Sequence, residues 1–458
     1  MSDLASDATA ATGHSNDDQG SSGRPLRSLS QARVTLALLG AVFAVHFLDR
    51  QILAILISPI KAELGLSDTA LALLSGFAFI VVFSTVGLVV ARLADRSNRA
   101  RIIVVSLALF SVMTALCGFV NGFWQLLAAR IGVGFGEGGT NPASHALIAD
   151  LFPTQQRAAA MAAYSVGPHL GLVLAFGLGG WLGHTVGWRA TFMIVGAIGL
   201  VLAVVTGVAL RDPRSALAVS GQTPRSPAKE VVRSLLRSPA QRHLFAAATL
   251  ATAAALGAIT WLPAMLVRAH DMSLAAAGIF LALTFGVAGA AGTYAFGTLA
   301  DALSVANARR KALVTGACQV VLAMLWLPAV LTADRTLALV AATFPCALTG
   351  AYLGPTLAMV QDGIDPRARA FSAAVLLLVI NLVGAGAGPL AVGALSDALS
   401  TWAGERSLSY ALLAVPALLV WSAWHFARAV SASTGADGIS ADGGNRSRER
   451  SIATVIRP

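Results

Sequence analysis

Four charged side chains stand in the middle of long apolar stretches of this sequence: Asp49 and Arg50 in one, Arg130 and Glu137 in another. An ionised group among apolar side chains is costly unless it is paired or reaches water, so each is a functional candidate. On a helix, the seven residues from Arg130 to Glu137 make two turns, about 10 Å along one face. The two side chains are too far apart to bond directly, but a partner from another helix could reach between them.

These residue types suit proton transfer. A carboxyl group beside a fixed guanidinium favours its ionised form, whereas a desolvated carboxyl group favours its neutral form. A conformational change that moves Asp49 or Glu137 between those settings would load and release a proton. We therefore predict that Asp49, Glu137 and Arg130 couple the protein to protons, with His46, one turn before Asp49, able to share its proton. The alternatives are that Arg130 and Asp49 only lock helices together and that His46 is hydrogen-bonded inside the bundle.

Composition indicates which elements position these residues. The 458 residues are 56% hydrophobic and 12% charged, against about 25% charged in soluble domains. Apolar stretches of 20 or more residues recur, each long enough to cross about 30 Å of hydrocarbon as a helix. We predict an all-α membrane protein with twelve spans near 34–58, 69–91, 102–120, 122–150, 158–183, 190–210, 244–267, 273–300, 312–332, 336–361, 370–396 and 408–427.

The distribution of charge predicts the orientation. Of the 32 Lys and Arg residues, 25 fall on the side of the two termini and 5 on the other side. We call these sides the basic face and the opposite face; the positive-inside rule places the basic face, and both termini, in the cytoplasm. The net charge of +10 thus reflects membrane topology rather than nucleic-acid binding. The first apolar run lacks a cleavage site and is expected to remain as span 1.

An internal repeat divides the spans six and six. Asp95 after span 2 and Asp301 after span 8 are both followed by basic residues, and they are 206 positions apart. Asp150 after span 4 and Asp362 after span 10 each precede an Arg by seven residues, and they are 212 positions apart. Parallel six-span repeats are one way in which transporters are built.

The predicted domains follow from this division. Two six-helix bundles related by pseudo-symmetry are joined by a proline-containing linker. A polar tail, expected to be disordered, lies at each end of the chain. Within the linker, residues 229–237 have helical apolar spacing with basic residues around it. That segment is predicted either to lie on the membrane surface or to be a solvated linker. The predicted bounds are 1–33 and 431–458 for the tails, 34–210 and 243–430 for the bundles, and 211–242 for the linker.

Three motifs resemble those of the major facilitator superfamily. Residues 91–101 resemble its loop 2–3 motif, although Ala91 and Asn98 replace two usual glycines. Arg130 with Gly134 resembles the span-4 motif, and residues 167–171 resemble a span-5 motif common in antiporters, with a leucine in place of its second glycine. The resemblance covers about residues 34–428 and implies the major facilitator fold and transport activity.

A narrower resemblance is to the spinster branch. It rests on residues 49–53 (DRQIL), 91–96 (ARLADR) and 130–137 (RIGVGFGE). This branch exports lysophospholipids and sphingosine phosphate, and the likeness implies that Asp49 lies between Arg130 and Glu137. The first two motifs also occur in symporters of sugar acids, so that class stays open.

The loop charges Asp95, Arg96, Arg99 and Asp301 are predicted to act in gating, by charge pairs that hold the basic face closed in one state. The alternative is that they only set the topology. In the first half the gating prediction rests on residues of the loop 2–3 motif, and in the second half it rests on Asp301, which stands at the matching position of the repeat.

The second half has no Asp, Glu, Lys or Arg within its predicted spans. One wall of a shared cavity would then be charged and the other mostly apolar, which suits an amphiphile with a charged head and an acyl tail, or an aromatic acid. The predicted substrate-binding residues are Arg130, Glu137, His46 and Arg50 on the charged wall and Trp261, Phe285, Phe344 and Asn381 on the other.

The sequence therefore predicts a proton-coupled secondary transporter that moves a lysolipid-like amphiphile by alternating access. A symporter for a small organic or aromatic acid is the first alternative, and a non-transporting sensor or scaffold is the second. No nucleophile–base pair, metal cluster or cofactor motif predicts an enzyme. We expect a monomer in the plasma or inner membrane, with the bilayer, the substrate and protons as its partners.

Overall fold

The computed structural model describes residues 29–212, 228–304, 307–362, 364–365 and 368–432, which are almost entirely helical. The first helix begins at Leu29, five residues before the predicted bundle. Most of the predicted tails, residues 1–28 and 433–458, lie outside the described part.

The first half contains spans 1 to 6. Span 1 is a continuous helix, whereas spans 2, 4 and 5 consist of consecutive helical segments. In span order, the helices are Leu29–Leu64; Asp68–Ala72 and Ala78–Arg96; Arg99–Cys117; Phe123–Glu137 and Thr140–Leu151; Thr154–Tyr164, Gly167–Val173 and Gly179–Thr185; and Gly187–Ala209.

The second half contains spans 7 to 12, again with long and segmented helices. Its last helix covers residues 414–432. The others, in span order, are Pro239–Ala269; Leu274–Leu281 and Gly289–Ser304; Ala308–Leu331; Arg335–Ala347 and Leu353–Asp362; Arg369–Val379 and Gly386–Ala403; and, opening span 12, the short helices Gly404–Arg406 and Ser407–Ala411.

Nine helices in the described residues are long and apolar enough to cross a membrane. The remaining predicted spans, 4, 10 and 12, are interrupted by turns at 138–139, 348–352 and 412–413. The breaks in spans 4 and 10 are about 212 residues apart, as the repeat requires. The described residues therefore form an all-α membrane fold of two related halves, consistent with the twelve predicted spans.

Short π-helical stretches interrupt four spans at related positions. They are Leu73–Phe77 in span 2, Leu174–Leu178 in span 5, Ala282–Ala288 in span 8 and Ile380–Ala385 in span 11. Such stretches are rare and are often found at functional sites. These four spans pack in pairs between the halves, span 2 on span 11 and span 5 on span 8, so the irregular turns lie at the interface.

The two halves pack together mainly toward the opposite face. There, the Gly179–Thr185 end of span 5 packs on Leu274–Leu281 of span 8, and the start of span 2 packs on Gly386–Ala403 of span 11. Toward the basic face, the described segments Thr154–Tyr164 of span 5 and Gly289–Ser304 of span 8 make at most isolated contacts with each other. The halves are therefore closed against each other at the opposite face and separate toward the basic face.

The predicted amphipathic segment of the linker forms the helix Ala228–Arg237. Its apolar side chains Val231 and Leu235 are buried against Ala368, at the start of span 11. The helix thus covers part of the second half, which is more order than a solvated linker implies, and its position on the membrane surface stays a prediction. Span 7 begins directly after it, at Pro239.

Spans 5 and 8 approach each other at glycines. A methyl group on Gly278 would overlap the carbonyl oxygen of Phe176, and one on Gly180 would lie 3.1 Å from the Gly278 Cα. Small residues of this kind let helix backbones pack closely in a membrane.

We expect Gly278→Ala to lower the thermal stability of the detergent-purified protein, because overpacking a close contact typically costs about 1–3 kcal/mol. Gly297→Ala, on the same span, is the matched control, since nothing lies within 4 Å of its added methyl group. Unfolding followed by tryptophan fluorescence measures both variants. Equal melting temperatures would show that the span 5–span 8 contact tolerates a side chain.

Candidate functional site

Asp49 and Arg130 meet inside the first half. Nη1 of Arg130 lies 3.4 Å from Oδ2 of Asp49 and 3.5 Å from its backbone oxygen. The exposed fractions are 1% for Asp49 and 0% for Arg130, so this ion pair is shielded from water. The hydroxyl of Thr114, on span 3, donates a short hydrogen bond to Oδ1 of Asp49. The sequence-based expectation that Asp49 reaches Arg130 agrees with this geometry.

Glu137 lies in contact with His46. Nε2 of His46 and Oε2 of Glu137 are 2.5 Å apart, and both side chains are fully buried. This contact pairs an imidazole with a carboxyl group inside the first half. Glu137 ends its helix, and the Thr140 hydroxyl donates to its carbonyl oxygen at 2.9 Å. The sequence associated His46 with Asp49, whereas the structure places it against Glu137.

This buried cluster of Asp49, Arg130, Glu137 and His46 has spare hydrogen-bonding capacity. Within the described residues, Nε and Nη2 of Arg130 have no hydrogen-bond partner. Unsatisfied buried polar groups are costly and rare in native proteins. The arrangement therefore favours a change of partner, because a further acceptor can satisfy these donors.

Arg50 differs from its neighbour Asp49 in facing partly outward. It is half-buried, and its guanidinium carbon lies 5.4 Å from the ring centroid of Phe79 and 5.8 Å from that of Phe83. Phe79 also lies 5.2 Å from the Arg130 guanidinium carbon. No carboxylate of the described residues forms an ion pair with Arg50. It is thus a cation held between aromatic rings, and one side of it remains partly exposed.

Two of the predicted apolar-wall residues are buried in packing contacts. Trp261 has no exposed surface and donates its indole N–H to the carbonyl oxygen of Pro389 at 2.8 Å, which ties span 7 to span 11. Phe285 is 2% exposed, with its ring centroid 6.0 Å from that of Phe176 across the two halves. In this conformation neither side chain presents a surface to a ligand.

The other two predicted residues are more exposed. Phe344 continues a stripe of exposed side chains, Leu337 and Val340, along one side of span 10. This helix begins near the opposite face, where the described parts of the two halves are closed against each other. An exposed apolar stripe at that level suits contact with lipid. Asn381 is half-buried and donates to the carbonyl oxygen of Leu377 in its own helix.

Among the predicted gating residues, Arg99 is tied within the first half. Its Nη1 lies 2.5 Å from Oδ2 of Asp150, at the end of span 4. Its backbone N–H donates to Asp212, after span 6, at 2.7 Å. These bonds hold the ends of three spans together at the basic face.

Asp301 pairs with Lys311, 2.8 Å away, across the loop between spans 8 and 9. The side chains of Asp95 and Arg96 lie outside the described part of the structure. The described contacts of the gating candidates thus stay within one half, in keeping with separation of the halves at the basic face.

A second group of charges, which the sequence did not predict, closes the opposite face. Asp68, at the start of span 2, is only 2% exposed. It accepts Lys61 Nζ at 2.7 Å, Nη1 of Arg268 from span 7 at 3.0 Å, and the Ser396 hydroxyl from span 11 at 2.7 Å. One carboxylate of the first half therefore joins two spans of the second half.

Asp397 adds a reciprocal connection. Its carboxylate accepts the backbone N–H groups of Asp68 and Thr69, at 2.9 and 2.7 Å, and the Thr69 hydroxyl at 2.6 Å. It thereby satisfies the first N–H groups of a helix from the other half. We call Lys61, Asp68, Arg268, Ser396 and Asp397 the opposite-face network.

This network corrects the prediction that the second half has no charged residue within its spans. Arg268 lies inside the helix Pro239–Ala269, and Asp397 lies inside Gly386–Ala403. Each stands one residue beyond the predicted span. In the sequence, both residues could have been recognised as isolated charges at the edge of an apolar stretch.

Among the described residues, no group of three or more His, Cys, Asp or Glu is placed to hold a metal ion. The chemistry of the buried cluster is that of carboxyl, imidazole and guanidinium groups. These can bind an anion and exchange protons.

Comparison with known proteins links this geometry to a family. The sequence profile of the Major Facilitator Superfamily matches residues 39–389. An "MFS-type efflux pump" of Mycolicibacterium smegmatis is 34% identical over 393 residues, which are 85% of this chain and 90% of that protein. A "Probable L-galactonate transporter" of Escherichia coli is 28% identical over 283 residues, 58% of this chain and 61% of that protein.

The fold is also similar to a solved structure. A bacterial homolog of the human lysosomal transporter Spinster, crystallised in an inward-facing and unoccupied conformation, matches with a TM-score of 0.78 and 25% identity. The match covers 90% of this chain and 98% of that one. The resemblance to the spinster branch is therefore confirmed.

Asp68→Asn is expected to favour opening at the opposite face. The variant keeps the shape of the side chain but leaves Lys61 and Arg268 without their carboxylate. Breaking a fully buried ion pair costs about 3–5 kcal/mol, and the partial exposure of Lys61 and Arg268 makes the loss smaller here. The distance between spin labels at Asn121 and Ala333, exposed in the loops of the two halves, should shift to longer values. The labels require a background without the three native cysteines.

Glu63→Gln is the matched control for this measurement. It removes another carboxylate at the opposite face, but Glu63 pairs with Arg189, 2.6 Å away, within the first half. Its label distances should stay unchanged. Unaltered distances in Asp68→Asn would contradict a closing role for the network.

Proposed function

The chain belongs to the Major Facilitator Superfamily, and we propose that it is a proton-coupled secondary transporter moving a lysolipid-like anion by alternating access. The observation that carries this proposal is the buried cluster of two carboxyl groups, a histidine and an arginine next to the half-exposed Arg50. Membrane transport follows from the family, whereas the coupling ion and the substrate are our inference.

Proton coupling requires a carboxyl group that changes its surroundings during transport. In the present conformation Asp49 is held by Arg130 and Thr114, while Glu137 faces His46. If span 1 moves relative to span 4, Asp49 loses the guanidinium and Glu137 loses the imidazole. A carboxyl group in an apolar medium favours the neutral acid once its cation is removed. Such a movement would therefore take up protons in one state and release them in the other.

Alternating access needs closure on one side at a time. The opposite-face network and the span 5–span 8 contact close one side, and the halves separate toward the basic face. Asp49 and His46 of the buried cluster lie in span 1, which also packs against span 7 of the second half. Rocking of the halves would therefore change both the network and the helix that carries Asp49.

Arg50 is the best placed described group for a charged substrate. Its guanidinium forms no ion pair with any described residue. It can bind a carboxylate or phosphate in two-pronged fashion, and it lies beside two phenylalanine rings that offer apolar surface. A charged head with an apolar tail matches this combination. The resemblance of residues 49–53, 91–96 and 130–137 to the spinster branch implies the same class of substrate.

A small organic acid is the second candidate. The observation that favours it is the relative named as a probable L-galactonate transporter, which is 28% identical over 58% of this chain. Such a substrate would use Arg50 in the same way but would not need the aromatic rings.

Asp49→Asn and Glu137→Gln are expected to abolish proton-driven accumulation while substrate exchange continues. Both variants keep shape and remove titration, so exchange that moves no net proton is unaffected. Reconstituted liposomes with an imposed pH gradient measure accumulation, and counterflow measures exchange. Asp334→Asn is the control, because Asp334 is an exposed helix cap that asparagine can replace. Normal accumulation in both cluster variants would refute the coupling role.

The substrate class is tested by a series of lysolipids with one headgroup and increasing tail length. Each buried methylene contributes about 0.8 kcal/mol, so two further carbons should tighten binding roughly tenfold until the cavity is filled. Arg50→Gln should weaken every member by about tenfold or more, since it removes one charge-assisted contact. The slope with tail length should persist.

Arg101→Gln, which removes an exposed surface charge, should leave the whole lysolipid series unchanged. A flat series, together with saturable competition by a hydroxy acid that depends on Arg50, would replace the lysolipid by a small organic acid.

A further inference from the structure

Spans 7 and 12 carry a cluster of aromatic and basic side chains at the basic face, away from the buried cluster. Trp421, Trp424, His425 and Arg428 have the spacing i, i+3, i+4 and i+7, so they share one face of the last helix. His243 of span 7 approaches them, and its Nδ1 lies 2.8 Å from Nδ1 of His425. Both tryptophans and Arg428 are exposed, while the histidines are half-buried.

The rings hold one another in place. The Trp424 centroid lies 4.7 Å from that of His425 and 5.9 Å from that of His243, and the Arg428 guanidinium carbon lies 5.8 Å from the Trp424 ring. In a pair of neutral imidazoles joined through Nδ1, one ring donates and the other accepts. The accepting ring carries its proton on Nε2, which leaves a donor for a further acceptor.

The charges around this pair are positive. Arg242 directly precedes His243 and is exposed, and both Arg242 and Arg428 lie within electrostatic reach of the His243 ring. Within the described residues neither arginine forms an ion pair. Two permanent cations attract an anion, and they oppose the binding of a metal ion between the histidines.

The position of the cluster identifies the anion. The helix Pro239–Ala269 has 31 residues and is about 46 Å long, whereas the hydrocarbon core is about 30 Å thick. Its first turns therefore extend into the headgroup region, where tryptophans such as Trp421 and Trp424 are enriched. Lipid phosphates occupy this depth.

We propose that the cluster of Arg242, His243, Trp424, His425 and Arg428 is a binding site for the phosphate of an anionic phospholipid. The two arginines supply charged contacts, the imidazole pair supplies a neutral donor, and the indoles pack against the glycerol and upper acyl carbons. Basic pockets between membrane helices on the cytoplasmic side are known to take anionic headgroups.

The test titrates phosphatidylglycerol into the full-length protein in mixed phosphatidylcholine micelles and counts bound lipids by native mass spectrometry. Arg242→Gln combined with Arg428→Gln should weaken the preference for phosphatidylglycerol by roughly tenfold or more, because each cation contributes to attraction at the membrane surface. The matched control combines Arg33→Gln with Arg101→Gln, which removes two exposed charges at the basic face of the first half.

Retained preference in the control and its loss in the Arg242/Arg428 variant would support the site. An equal loss in both variants would overturn it in favour of general surface attraction. Inorganic phosphate provides a second arm: stabilisation of the protein in pure phosphatidylcholine nanodiscs by millimolar phosphate, lost in the Arg242/Arg428 variant, would assign the site to a soluble phosphate instead. Zn²⁺ binding that His243→Ala abolishes would replace the lipid by a metal ion.

Discussion

The buried guanidinium of Arg130 is the constraint on which the first half depends. Arginine stays charged at any accessible pH, and a charge without water must be neutralised nearby. Asp49 supplies that neutralisation from span 1, and Thr114 supports Asp49 from span 3. Three spans are thus held in register by one charge. Glu137 and His46 share the same enclosed volume, so a shift of span 1 affects both carboxyl groups together.

The ionic contacts of the opposite-face network differ from those at the basic face, because they join one half to the other. Asp68 and Asp397 connect the two halves, whereas Arg99 and Asp301 connect spans within a half. Charge pairs of the first kind are made or broken when the halves move, and those of the second kind travel with them. The structure thus separates ties that resist rocking from ties that keep each half rigid.

The fold and the centre of the site could be predicted because charges in apolar helices are expensive and therefore few. Asp49, Arg50, Arg130 and Glu137 were identified on that ground alone. Asp68, Arg268 and Asp397 were missed because hydropathy places the end of a span only within a few residues, and each of them stands just past a predicted end. In the sequence alone, a charged residue one position outside an apolar stretch cannot be distinguished from a charged residue in a solvated loop.

Neutral partners could not be predicted for a related reason. Thr114 and Phe79 belong to types that are common throughout membrane helices, and only the packing of spans 1 to 4 brings them to the cluster. Likewise, Trp261 and Phe344 were chosen for their type, yet one is buried in a helix contact and the other is exposed on the outside of span 10. When nearly every residue of a helix is apolar, the type of a side chain does not indicate whether it faces the interior of the protein or the lipid.

The π-helical stretches in spans 2, 5, 8 and 11 allow one part of a span to rotate about the helix axis relative to the other part. Each holds an extra residue in a wider turn, and an α-helix rotates by about 100° per residue. If such a turn tightens to an α-helical one, the part of the span beyond it rotates by that angle relative to the part before it. The four interfacial spans can therefore change which side chains they present to the other half without unwinding, and the two ends of a span need not turn together.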